Sequence, residues 1–156
     1  MLDTLMKFGA YRVEHFEPLN QLNPECFGLY IRAEIEKGQV YSHEAKHQLY
    51  MGLDLIHRLL GMQNLAGIYL DIDCLKNMHS PAYQQMKRDI LAGSFRRILV
   101  LNPMVISGCP GSESDLHELA GCMGCLELLI WNRSKLTSKL IGKPALGGVN
   151  RTEIME

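Results

Sequence analysis

Ala66-Gly67-Ile68-Tyr69-Leu70, Ser80-Pro81-Ala82-Tyr83-Gln84-Gln85-Met86-Lys87-Arg88-Asp89-Ile90-Leu91-Ala92-Gly93 and Arg97-Ile98-Leu99-Val100-Leu101 follow one another along the chain. The first and last are short apolar runs, as strands buried on both faces require. The middle stretch opens with Ser before Pro, an N-cap followed by a residue whose fixed φ and missing N–H suit a first helical turn. Tyr83, Met86, Ile90 and Leu91 then recur at helical spacing and are expected to point inward, and Gly93 ends the helix. Strand, helix and strand with short joints make a parallel crossover unit.

The same alternation extends to both sides. Phe27-Gly28-Leu29-Tyr30-Ile31 reads as a strand, and residues 42–60 as a helix with Ala45, Leu49, Leu53, Ile56 and Leu60 on its apolar stripe, ended by Gly61. Ser107–Ser114 reads as a Gly/Pro/Ser loop, Asp115–Met123 as a helix carrying Leu116, Leu119 and Ala120, and Glu127-Leu128-Leu129-Ile130-Trp131 as a strand. The pattern predicts an α/β fold over residues 26–132: a three-layer, open, mainly parallel sheet with helices on both faces. Residues 1–25 read as a separate lead-in, with Leu2, Leu5, Met6 and Phe8 in a short amphipathic turn and with Pro18 and Pro24 interrupting any helix. Residues 133–156 read as a basic C-terminal tail. Ligands of such sheets bind outside the carboxyl ends of the strands. Here those ends are Arg32-Ala33-Glu34, Asp71-Ile72-Asp73, Asn102-Pro103-Met104 and Asn132-Arg133.

Composition sets the outer bounds. The 156 residues include 16 basic and 17 acidic side chains and are 47% hydrophobic, too apolar for a disordered chain. No apolar run reaches the roughly 20 residues of a membrane span, and Met1-Leu2-Asp3-Thr4-Leu5-Met6-Lys7 lacks the apolar core of a secretion signal. Five irregularly spaced cysteines read as reduced thiols, and the expected location is cytoplasmic. Between Asn132 and Thr152 there is no acid, while Arg133, Lys135, Lys139 and Lys143 fall in that interval. Such a stretch can neutralise phosphates or simply remain solvated.

The order of motifs resembles the catalytic domain of the serine recombinases, the resolvase/invertase family, over residues 28–132. The family's first strand reads tyrosine, any residue, arginine, any residue, catalytic serine, beside Tyr30-Ile31-Arg32-Ala33-Glu34 here. Ser42, Glu44 and Lys46 stand in the register of its serine–glutamate–glutamine helix start, and Tyr69-Leu70-Asp71 matches a second strand ending in aspartate. Ser80–Gly93 is similar to its arginine–proline helix, and Asp115-Leu116-His117-Glu118-Leu119-Ala120 continues the register. The resemblance implies a resolvase-like fold.

It also implies where the chemistry is missing. The family's serine attacks a DNA phosphodiester while arginines stabilise the pentacoordinate phosphate; Glu34 stands at the serine's position, where a carboxylate repels the phosphate. The family's aspartate–arginine–leucine–any–arginine signature falls on Met104-Val105-Ile106-Ser107-Gly108, so the positions of its charged residues hold Met104, Val105 and Gly108. Of the phosphate-binding groups only Arg32 persists, and transition-state stabilisation is expected to be lost with the others. Ser42, Ser107 and Ser112 could replace the nucleophile only if the loop moved, and none has an arginine nearby in sequence. No recognition helix follows the sheet, so sequence-specific reading of DNA is not expected.

Other signals point elsewhere. His43-Glu44-Ala45-Lys46-His47 is a literal H-E-x-x-H, which on a helix could hold zinc with Glu44 polarising water. Lys46 is out of place beside a metal, and no third ligand stands at the usual spacing, so surface histidines are the plainer reading. Cys122-Met123-Gly124-Cys125 reads as buried small residues rather than a redox pair, without a second pair among Cys26, Cys74 and Cys109. Gly108-Cys109-Pro110-Gly111-Ser112 reads as a turn and N-cap, with Glu113 and Asp115 already serving the helix dipole. Asp71 and Asp73 could meet Mg²⁺ but lack a phosphate site.

The expected function is therefore that of a binding, accessory or regulatory protein without recombinase catalysis and without a cofactor. Its partners would be a second copy, another protein, or DNA held without sequence specificity through Arg32, Lys87, Arg88, Arg96, Arg97, Arg133, Lys135 and Lys139, and no membrane. The competing classes are a zinc hydrolase using His43, Glu44 and His47, and a small-molecule binder at the strand ends.

Overall fold

The computed structural model describes residues 11–16, 25–35, 42–72, 80–107, 111–132, 135–142 and 151–154. In chain order they form strand β1 (Tyr11–His15), β2 (Phe27–Ala33), helix α1 (His43–Leu55) and β3 (Leu65–Ile72). Then follow α2 (Pro81–Leu91), β4 (Arg97–Val100), the one-turn α3 (Met104–Ser107), α4 (Ser112–Met123), β5 (Cys125–Asn132), β6 (Lys135–Gly142) and β7 (Arg151–Ile154). The chain is α/β, and the seven strands among the described residues make one sheet in the order β1-β3-β2-β4-β5-β6-β7. The centre, β3, β2, β4 and β5, is parallel. β1 joins β3 antiparallel at one edge, and β6 and β7 extend β5 antiparallel at the other. The chain winds from β2 outward to β3 and then back past β2 to β4. The direction of winding thus reverses between β2 and β4, where doubly wound sheets open a crevice at the strand ends.

The expected central strands and flanking helices are present, and several expectations are corrected. Tyr11–His15, taken as part of a separate lead-in, is an edge strand whose Val13 packs against the core. The strand is hard to read because Val13 is its one packed apolar residue, between Arg12 and Glu14, which pair with each other. The amphipathic turn expected over residues 2–8 lies outside the described residues. The basic tail is likewise sheet in its described part: Leu136 and Ile141 are buried on β6 while Lys135 and Lys139 stay exposed. The expected loop at 107–114 is preceded by the α3 turn and gives way to α4 at Ser112.

Leu91 is 53% exposed instead of inward, because it follows Ile90 by about 100° around the helix and leaves the Tyr83/Met86/Ile90 stripe. The buried face of α1 is Ala45, Gln48, Gly52 and Leu55, with Leu49 and Leu53 only half-buried. Gly52 sets this face, since a Cβ there would stand 3.0 Å from the Leu29 side chain, so the helix comes close to the sheet along its glycine. After Leu55 the helix continues as a π-turn over Ile56–Leu60.

Two apolar clusters form the core. One holds Phe27, Leu29, Ile31, Leu99 and Leu129 with Ala45 and Leu55 of α1. The other holds Tyr30, Tyr69, Ile98 and Val100 with Tyr83, Met86 and Ile90 of α2 and Leu116 and Leu119 of α4. Successive strand residues, such as Ile98, Leu99 and Val100, go to alternate clusters, as a period of two demands. Each large side chain so buried stabilises the fold by roughly 1.5–3 kcal/mol before chain entropy is counted. At the end of α2, Gly93 takes φ +88°, which an L side chain resists, and the N–H groups of Gly93 and Ser94 close on the carbonyls of Ile90 and Asp89. No helix among the described residues is long and apolar enough to cross a membrane.

Candidate functional site

The carboxyl ends of β2 and β3 carry the densest polar network. Tyr30 and Arg32 lie two apart on β2 and so share a face, and Arg32 sits in register with Asp71 of β3. Asp71 is fully buried. Its carboxylate accepts from the Tyr30 hydroxyl at 2.8 Å and from the backbone N–H groups of Ala82 at 2.9 Å and Tyr83 at 3.0 Å. Those amides are the otherwise unpaired donors of the first turn of α2, so a strand-end anion caps the helix and meets its positive end.

Ser80 occupies the N-cap position but makes no capping bond with its side chain. Its hydroxyl accepts instead from Arg32 Nη2 at 2.6 Å, while Arg32 Nε donates to the Tyr30 hydroxyl at 3.1 Å. Burial, then the neighbouring Asp71 carboxylate, pushes the Tyr30 phenol well above the usual tyrosine range, against the opposing pull of Arg32. Tyr30 therefore serves as a neutral bridge between cation and anion. The Tyr83 ring packs on that of Tyr30 at 5.6 Å and sends its hydroxyl to Asp115 at 2.9 Å. Asp115 also holds Lys87 at 2.8 Å, with the two side chains 11% and 19% exposed.

Glu34 is exposed just beyond β2. Its carbonyl accepts from the Ser42 hydroxyl at 2.7 Å, and Ser42 Oγ in turn accepts from the N–H of Ala45 at 3.1 Å to cap α1. Ser42 is fully buried in that role and does not present a hydroxyl to solvent. Met104 is 63% exposed and Val105 is buried on the α3 turn, where neither carries charge. Gly108 lies outside the described residues.

The described members of the proposed phosphate-contact set do not gather into one patch. Arg32 closes β2 at the carboxyl end, whereas Arg97 opens β4 opposite Phe27 at the amino end. Arg97 pairs with Glu127 at 2.8 Å and donates to the Glu25 carbonyl. Arg88 is exposed in the last turn of α2, where it donates to Gln85, and Arg96 is exposed beside β4. Lys87 is held by Asp115. Lys135 and Lys139 are exposed along β6, and Arg133 lies outside the described residues.

His43, Glu44 and His47 are exposed on α1, and among the described residues no three His, Cys, Asp or Glu side chains could hold a metal ion together. Cys122 is exposed and Cys125 half-buried, against the expectation of buried cysteines, because they flank the end of α4 at Gly124. Cys26 is buried, and burial raises its thiol pKa against the lowering effect of Arg97. Cys74, Cys109 and Asp73 lie outside the described residues.

Two features escaped sequence reading. Gln48 is only 4% exposed; its Nε2 donates to the Arg32 carbonyl and to Glu44, and its Oε1 is buried with no hydrogen-bond partner among the described residues. A glutamine on an otherwise apolar helix face was the available signal. The second is a clasp between β1 and α2. Asp89 accepts from the Tyr69 hydroxyl at 2.6 Å and from Gln85, and meets His15 Nε2 at 2.7 Å.

Burial raises the Asp89 carboxyl, but these hydrogen bonds and the charge of His15 outweigh it and hold the group below the ordinary carboxylate value. A depressed carboxyl contributes stability above the unfolded value of about 3.9 and loses it as pH falls through the folded value. Asp89→Asn is expected to cost about 1–2 kcal/mol at neutral pH. In urea titrations at successive pH values, the gap to the unaltered protein should narrow in the acid range.

No family model matches the chain, and neither a curated protein nor a solved structure matches it.

Proposed function

We propose that this chain is a resolvase-like domain that has given up strand exchange and works by binding. In this reading α1 covers one face of the sheet and α2 and α4 the other, an arrangement supported by the division of the core into two clusters. The observation that carries the reading is the state of Arg32. Its guanidinium is engaged by Ser80 and Tyr30 beside the buried Asp71, with Glu34 exposed where a nucleophilic serine would stand. A phosphate approaching there meets a carboxylate, and the cations that could offset it are divided between the two ends of the strands. The remaining exposed cations, Arg88, Arg96, Lys135 and Lys139, suit loose contact with DNA without sequence reading, and the partner is otherwise a protein or a second copy.

Fluorescence anisotropy of a mixed-sequence duplex, titrated at several salt concentrations, tests the partner. Micromolar binding that weakens steeply with salt keeps the chain in DNA transactions; no binding at low salt moves the partner to protein. Supercoiled DNA incubated with the pure protein should stay unnicked and uncaptured. A nick or covalent adduct from the unaltered chain overturns the loss of catalysis.

A further inference from the structure

We propose that β1 is a self-complementary docking edge on which a second copy of this chain pairs its own β1 antiparallel, joining the two sheets about a two-fold axis at Val13. The proposal rests on the binding reading of the domain and deepens it, naming the second copy as the partner and the strand that meets it.

β1 is the outermost strand on its side of the sheet, and among the described residues only β3 pairs with it. Its register with β3 runs without a shift, and Tyr-Arg-Val-Glu-His holds no Pro, Gly or Lys of the kind that closes an edge to further strands. The backbone has the phase that such pairing needs. The N–H of Phe16 donates to the Ala66 carbonyl at 2.9 Å and continues that register by one residue. Hydrogen-bonded and non-hydrogen-bonded pairs alternate along an antiparallel ladder. Glu14 and Arg12 therefore also turn their amides to β3, whereas His15, Val13 and Tyr11 turn theirs outward. A strand centred on Val13 meets all of these outward groups: Val13 bonds the partner's Val13, and Tyr11 bonds the partner's His15.

The side chains select this partner and this register. Val13 packs on the core cluster of α2 and His15 meets Asp89 of α2 at 2.7 Å, so Arg12 and Glu14 lie on the opposite face, 44% and 42% exposed and paired with each other. Two-fold pairing at Val13 sets Arg12 across from the partner's Glu14, and Glu14 across from the partner's Arg12. Both are non-hydrogen-bonded pairs, in which side chains stand closest, and the four charges alternate in sign around the axis. Sliding the strand by two residues sets Arg12 against the partner's Arg12 in one direction and Glu14 against the partner's Glu14 in the other, and like charges opposite one another repel. On the α2 face Tyr11, 57% exposed, comes beside the partner's His15. Because Val13 and His15 are already held, little of the strand has to be ordered on association.

Sedimentation equilibrium of the full chain from about 5 to about 500 µM tests the pairing, and a dimer with a dissociation constant of about 100 µM or tighter is expected. Arg12→Glu leaves only acids at the two charged edge positions and Glu14→Arg leaves only bases, both at exposed side chains. Each turns two symmetry-related attractions into repulsions and should weaken the dimer by about tenfold or more. Mixed in equal amounts, the two variants should recover dimers, because one chain's acids then face the other's bases. Arg12→Glu combined with Glu14→Arg in one chain restores the alternation and should dimerise like the unaltered protein. If one single variant fails to fold, the other decides.

A monomer throughout the range overturns the proposal, as does a dimer that the single variants leave unchanged, or a mixture that stays monomeric. Growth beyond the dimer overturns it too, since it marks open-ended pairing of two different edges. The duplex titration is a separate result: DNA binding by a monomer removes this proposal and keeps the reading it rests on.

Discussion

Asp71→Ala should lower the free energy of unfolding by about 3–5 kcal/mol, the largest effect of any single polar substitution in this fold. Three donors converge on that carboxylate: the Tyr30 hydroxyl and the amides of Ala82 and Tyr83. None can recover its bond from solvent at a fully buried position, and each buried donor left unmade costs about 1–3 kcal/mol. The loss also removes the negative charge from the start of α2 and leaves Arg32 facing Ser80 and Tyr30 without the anion behind them. Tyr30→Phe removes one of the three bonds and keeps the capped helix, so it should cost only about 1–2 kcal/mol. Urea unfolding of the two variants beside the unaltered protein measures both. Near-equal losses would mean that the helix cap carries little of the energy.

Gly28→Ala should cost about 2–3 kcal/mol through overpacking. A Cβ on Gly28 would lie 2.6 Å and 2.7 Å from atoms of the Phe95 ring and 3.1 Å from the Tyr69 ring. Phe95 is buried and packs on Tyr69 at 5.9 Å between centroids, so it has little room to withdraw. Displacing Tyr69 would strain its bond to Asp89 and hence the hold of α2 on β1. Gly121 is the internal control, because it lies exposed in α4 with nothing within 4 Å of an added Cβ. Gly121→Ala should stabilise the protein by about 0.5–1 kcal/mol, and thermal or urea unfolding should place the two alanines on opposite sides of the parent.

The centre of the sheet was legible because its residues state their burial locally. Arg97–Val100 is apolar after its first residue, and Ser80-Pro81 opens a helix that Gly93 closes. The edges were not. Tyr11–His15 and Lys135–Gly142 are half-covered strands in which charges stand beside Val13, Leu136 and Ile141, and their pairing depends on neighbours distant in sequence. The site was legible by position and not by role. Arg32, Asp71 and Ser80 all stood in the sequence as strand-end or helix-start residues. That Asp71 caps the helix while Ser80 holds Arg32 depends on a turn in space that no spacing encodes. Glu34, Met104 and Val105 were readable as uncharged or wrongly charged positions, and in the fold Glu34 and Met104 are exposed while Val105 is buried.

The placing of β2 beside β4 has a kinetic consequence. Phe27 lies opposite Arg97, so the middle pairing of the sheet closes a loop that contains α1, β3 and α2. At the far edge, Asn132 meets Lys135 across two residues. Loop closure is costly for the first and nearly free for the second, so the hairpin arm can form early and wait. Folding speed is then set by how soon the remote central strands find each other, which puts the chain among the slower folders of its size. Until they meet, β4 and β5 offer unpaired apolar edges, and the interval before closure is when self-association competes with folding.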